Sequence, residues 1–115
     1  MEWPAYRVLC DQPDYWSGWM LDQCVELFEQ LGDDTLAARL RSARAGEPLP
    51  VPDDFNGPPT TRMYRLALPV AQRDAGLALI ERALREGATS SGTRLRGLGG
   101  FVEAWREFAA AGRVS

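Results

Sequence analysis

The chain has 115 residues, 45% hydrophobic and 25% charged, which suits one domain that closes a core without metal or disulfide staples. It has no histidine, and all 13 basic residues are arginine, which excludes histidine general bases, Schiff-base lysines, a P-loop lysine and the histidine ligands of most catalytic zinc sites. The net charge of −3 is unevenly laid out: residues 1–34 hold eight acids against Arg7 alone, and the remainder holds twelve arginines against eight acids.

Trp3–Cys10 opens the chain as W-P-A-Y-R-V-L-C. The alternation of Tyr6, Val8 and Cys10 predicts a half-buried strand, restricted to an edge by Pro4. Met1-Glu2-Trp3-Pro4 has neither a basic start nor a following apolar run, so a cytoplasmic protein is expected, and no segment has the roughly 20 apolar residues of a membrane span. Asp11-Gln12-Pro13-Asp14 reads as a turn.

Ser17, or Asp14 a turn earlier, caps a helix that runs to about Leu31, with Leu21, Cys24, Val25, Phe28 and Leu31 on its apolar stripe. Gly32 is placed as its left-handed stop. Asp33 or Asp34 then caps a second helix whose apolar face carries Leu36, Ala37, Leu40 and Ala43 or Arg44. From Gly46 to Thr61, five prolines exclude a regular helix, so a long loop is expected, tied down by Leu49, Val51 and Phe55, with a third extended segment near Leu49–Phe55 as an option.

Arg62–Val70 predicts a second strand with Tyr64, Leu66 and Leu68 on one face, followed by a helix over Ala71–Glu86 that Gly87 ends. Ala88–Thr93 reads as a small-residue loop, and Arg94–Gly100 holds too much glycine for a good helix. Leu98, Phe101, Val102, Trp105, Phe108 and Ala109 then form a strict helical stripe to Ala111, with Gly112 as the stop. The sum is a single α+β domain, a small two- or three-stranded sheet covered by about four helices. The match of Y-R-V-L-C at Tyr6 with Y-R-L-A-L at Tyr64 would also fit a duplicated strand-helix-helix unit.

Little in this chain reads as catalytic chemistry. The pairs Asp22/Glu26 and Glu29/Asp33 stand at i, i+4 on an outer helix face, where like charges cost only about 0.2–0.5 kcal/mol per pair and nothing marks them as buried acids or bases. Asp53-Asp54 before Asn56-Gly57 lacks the ligand order of a calcium loop, so no metal and no cofactor are expected. Ser17, Ser42, Ser90 and Ser91 have no histidine to activate them. Cys10 and Cys24 make no C-x-x-C motif; one disulfide or two small buried hydrophobes are the options.

Two surfaces remain. Asp14, Tyr15, Trp16, Trp19, Asp22 and Glu26 combine aromatic anchors with an acidic rim, the composition of a face that binds another protein of basic character. Arg94 and Arg96 beside Gly99 and Gly100, at a helix start, are a weaker anion site. The first implies a non-enzymatic inhibitor or immunity-type module. The alternatives are a phosphate or small-ligand domain built on the second surface, and a structural homodimer seamed by the last helix. The acidic balance weighs against a nucleic-acid partner.

Overall fold

A computed structural model describes residues 2–87 and 90–114. Its elements are helix α1 (Trp3–Cys10), strand β1 (Tyr15–Ser17), helices α2 (Gly18–Gln30) and α3 (Asp34–Ala45), a 3-10 turn (Pro59–Thr61), strand β2 (Met63–Arg65), and helices α4 (Val70–Glu86), α5 (Ser90–Arg96) and α6 (Gly99–Val114). This is an α+β fold with six helices among the described residues and one two-stranded antiparallel sheet. No helix among the described residues is long and apolar enough to cross a membrane.

The first expected strand is a helix. Pro4 lies in the first turn of α1, where its missing N–H costs nothing, and Trp3, Tyr6 and Cys10 fit the helical spacing i, i+3, i+7 as well as Tyr6, Val8 and Cys10 fit an alternation. Tyr6 is buried while Val8 stands 66% exposed, so the alternation carries no burial. With that strand goes the Tyr6/Tyr64 repeat. The order strand-helix-helix does occur twice, but it begins at β1.

The sheet is short because its job is local. Tyr15 pairs with Arg65, Trp16 with Tyr64 and Ser17 with Met63, and the ladder extends at its ends through Leu66 N–H to Asp14 O (2.8 Å) and Gly18 N–H to Arg62 O (2.9 Å). Tyr64, Leu66 and Leu68 turn inward as their alternation predicts. The expected third extended segment forms no strand; only Leu49 N–H reaches Met63 O, at 2.7 Å.

Local signals fix the α2–α3 hairpin. Ser17 Oγ accepts from Met20 N–H (3.2 Å) and Asp33 Oδ1 from Leu36 N–H (3.0 Å), satisfying donors that each first turn leaves open. Between them Gly32 adopts φ +88°, and the Asp33 and Gly32 N–H groups return to Phe28 O and Glu29 O, the Schellman pattern. Gly87 ends α4 in the same left-handed region.

Two expectations near the end fail. Residues 88 and 89 of the expected loop lie outside the described residues, but Ser90–Arg96 is helical, held by a fully buried Leu95 and by Arg96, which donates to Gly87 O (3.3 Å) and Leu84 O (3.4 Å) at the end of α4. Gly112 does not stop α6 but lies inside it, where a Cβ would stand 3.1 Å from Arg73 Cδ and 3.2 Å from Val70 Cγ2. Its bareness lets α6 approach the start of α4.

The core gathers on α6. Trp105 is fully buried, with ring centres of Phe28 at 5.0 Å, Phe108 at 5.3 Å and Trp16 at 5.6 Å, distances typical of attractive aromatic pairs. Its indole N–H donates to Arg73 O (3.0 Å), so the ring is satisfied as well as packed. Gly76 of α4 makes room for it: a Cβ there would stand 2.8 Å from Trp105 Cζ2 and 3.0 Å from Leu36 Cδ2. Gly76→Ala is therefore expected to destabilise the fold by about 1–3 kcal/mol through overpacking. Gly100→Ala, with nothing within 4 Å of the new methyl, should gain up to about 1 kcal/mol of helix propensity. Urea midpoints of the two variants should move in opposite directions.

Candidate functional site

The aromatic, acidic face expected over residues 14–26 does not form as drawn. Trp16 is 3% exposed and turns inward from β1 onto Phe101, Trp105 and Phe108 of α6. Trp19, one step into the first turn of α2, stands 50% exposed, so the two indoles do not share a face. Tyr15 is half-buried on the sheet.

The acids of the rim are paired with arginines. Asp14 accepts from Arg65 Nε (3.1 Å), Asp22 from Arg44 Nε (3.2 Å) and Glu26 from Arg94 at 2.9 Å. Arg44 is held further by its bond to the Tyr64 hydroxyl (2.7 Å) and by lying over that ring. The same Glu26–Arg94 pair spends the weaker anion site, since Arg94 was one of its two cations and Arg96, the other, caps α4. Gly99 and Gly100 are exposed in the first turn of α6. The last helix offers no dimer seam, because its stripe of Phe101, Val102, Trp105, Phe108 and Ala109 is buried in the core.

What the fold does bring together is a groove of about 330 Å³ beside Trp16. Its walls come from the end of α1 and the following turn (Cys10, Asp11, Gln12, Pro13), from the sheet (Tyr15, Met63), from the start of α2 (Met20) and from α6 (Ala104, Glu107). Asp11 and Glu107 are the only formal charges along it. Both are exposed, and neither enters an ion pair among the described residues. Trp16, part of the wall, has a buried Nε1–H with no acceptor among the described residues.

The turn residues Asp11–Pro13 were legible in the sequence as a turn and nothing more. Ala104 and Glu107 flank the buried stripe of α6, which tells that they lie near the surface but not what they face. Only the pairing of β1 with β2, which seats Trp16 on α6, brings the two acids to one groove.

Both cysteines are free thiols. Cys24 is fully buried, which pushes its thiol pKa well above the ordinary value. Cys10 is half-buried at the groove; burial raises its thiol, a hydrogen bond from Tyr6 partly offsets this, and Asp11 adds to the rise. Tyr6, packed among Trp3 and Phe55, has its phenol pushed up to about 12, first by burial and then by that hydrogen bond. Among the described residues no group of three or more Cys, Asp or Glu side chains could hold a metal ion, and Asp54 of the Asp53-Asp54 turn instead accepts from the Trp3 indole (2.7 Å). No protein-family model, no curated protein and no solved structure matches the chain.

These shifts have a sign that can be checked. The neutral Tyr6 phenol is favoured in the folded state, so its contribution to stability is whole below about pH 10, where an unfolded tyrosine begins to ionise, and is lost as the pH rises towards about 12. Absorbance titration at 295 nm should show one of the three tyrosines ionising late, together with loss of structure. In the same samples a thiol reagent should label Cys10 slowly at neutral pH and Cys24 only after unfolding.

Proposed function

We propose that this chain is a non-enzymatic protein-binding module of the inhibitor or immunity type, which neutralises a partner by covering it. The observation that carries this reading is Trp19, half exposed at the first turn of α2 while Trp16 and Trp105 are spent in the core. A half-exposed tryptophan offers a large amphipathic surface, and tryptophan is among the residues that most often dominate protein interfaces. Met20, the next residue, lines a groove whose charges are Asp11 and Glu107, both acids. That combination favours a partner with basic character.

The phosphate-ligand alternative has lost its two cations to Glu26 and to the end of α4, and the homodimer alternative has lost its seam to the core. Neither has a further observation in its favour.

The test is capture of a partner from the native host, followed by calorimetry with the captured protein. Trp19→Ala should leave the melting temperature within a few degrees and weaken the complex about thirtyfold or more, the range of a hot-spot residue. Unchanged affinity would reject the face.

A further inference from the structure

We propose that the groove between the Asp11–Pro13 turn, the sheet and α6 is a pocket for one arginine side chain of the partner, an assignment that rests on the protein-binding reading above. Its volume of about 330 Å³ is at the small end of ligand clefts, suited to one inserted side chain rather than to a cofactor-sized molecule. Its charge has one sign. Asp11 and Glu107 are both acids, and no arginine lines it.

The ion pairs narrow the choice of acids. The eight ion pairs among the described residues each take a different carboxylate: Asp14, Asp22, Glu26, Glu29, Asp74, Glu81, Glu86 and Glu103. Of the acids outside these pairs, Asp11 and Glu107 are the two that line this one concavity, and they come from different elements. A guanidinium entering it meets carboxylates from α6 and from the turn, and its planar fork can donate to both.

The walls suit the stem of that side chain. Pro13, Tyr15, Met20, Met63 and Ala104 line the groove with the two acids, and an arginine buries its methylene groups against such apolar surface while its head stays with the charges. Tyr15 adds a ring on which a guanidinium can stack. The two methionines are unbranched and adapt to the shape of what enters.

The probe is N-acetyl-arginine-amide, with N-acetyl-citrulline-amide as its uncharged isostere, each titrated into ¹⁵N-labelled protein. The arginine probe is expected to shift the amides of Asp11, Gln12 and Tyr15 and the indole N–H of Trp16 saturably, while the citrulline probe leaves them in place. The double variant D11N/E107Q, altered only at exposed positions, should weaken the arginine probe about tenfold or more, the loss expected of a charge-assisted hydrogen bond. Equal shifts from both probes, shifts confined to another surface, or an unaffected double variant would overturn the pocket.

The two readings fail separately. If the probe misses the groove while Trp19→Ala still abolishes partner capture, the pocket is wrong and the protein-binding module stands. If the probe fills the groove while capture is indifferent to both Trp19→Ala and D11N/E107Q, the arginine of a partner is not its ligand and the Trp19 face is rejected with it, so the partner is held elsewhere.

Discussion

The indole of Trp105 is the contact through which the other elements meet. It is reached from α2 by Phe28, from β1 by Trp16 and from its own helix by Phe101 and Phe108, and it lies against bare backbone at Gly76 of α4. Burying a ring of this size, with its N–H bonded to Arg73 O, supplies several kcal/mol at a single position. Arg73 locks the same joint from outside, donating to Leu68 O (2.8 Å) and Phe108 O (2.9 Å) with its guanidinium over the Phe108 ring. One aromatic cluster and one arginine thus hold α4 and α6 together, and β1 is seated on them.

That dependence explains where the sequence was readable. α6 was legible because its stripe repeats at helical spacing for three turns, and the α2–α3 hairpin because Ser17, Gly32 and Asp33 punctuate it. β2 announced its inward face through Tyr64, Leu66 and Leu68. The strand at Tyr15–Ser17 was hidden: three residues give no period, and they are extended because Met63–Arg65 pairs with them, a partner far along the chain. With β1 missed, Trp16 looked like a neighbour of Trp19 on a helix, and the face drawn from both was half core. α1 was misread for the opposite reason, since its few apolar residues satisfy two periods and only Tyr6 is buried.

Charge follows the same logic. The acidic N-terminal third and the arginine-rich remainder are complementary blocks, and folding lays one on the other: Asp14 on Arg65, Asp22 on Arg44, Glu26 on Arg94 and Glu29 on Arg41. Each is an exposed pair worth about 0–1 kcal/mol, so these contacts orient surfaces more than they hold the fold. Their effect on recognition is larger. Across the chain such pairs occupy half of the sixteen acids, and among the rest only the fold, not local sequence, brings Asp11 and Glu107 to one groove.

The seating of Trp16 on α6 also sets an order of events during synthesis. Trp16 and Phe28 emerge from the ribosome early, but the rings that cover them belong to a helix translated much later. Until Phe101, Trp105 and Phe108 are out, the α2–α3 hairpin has no lid and shows an aromatic surface to the cell. Closure of the core therefore waits for α6.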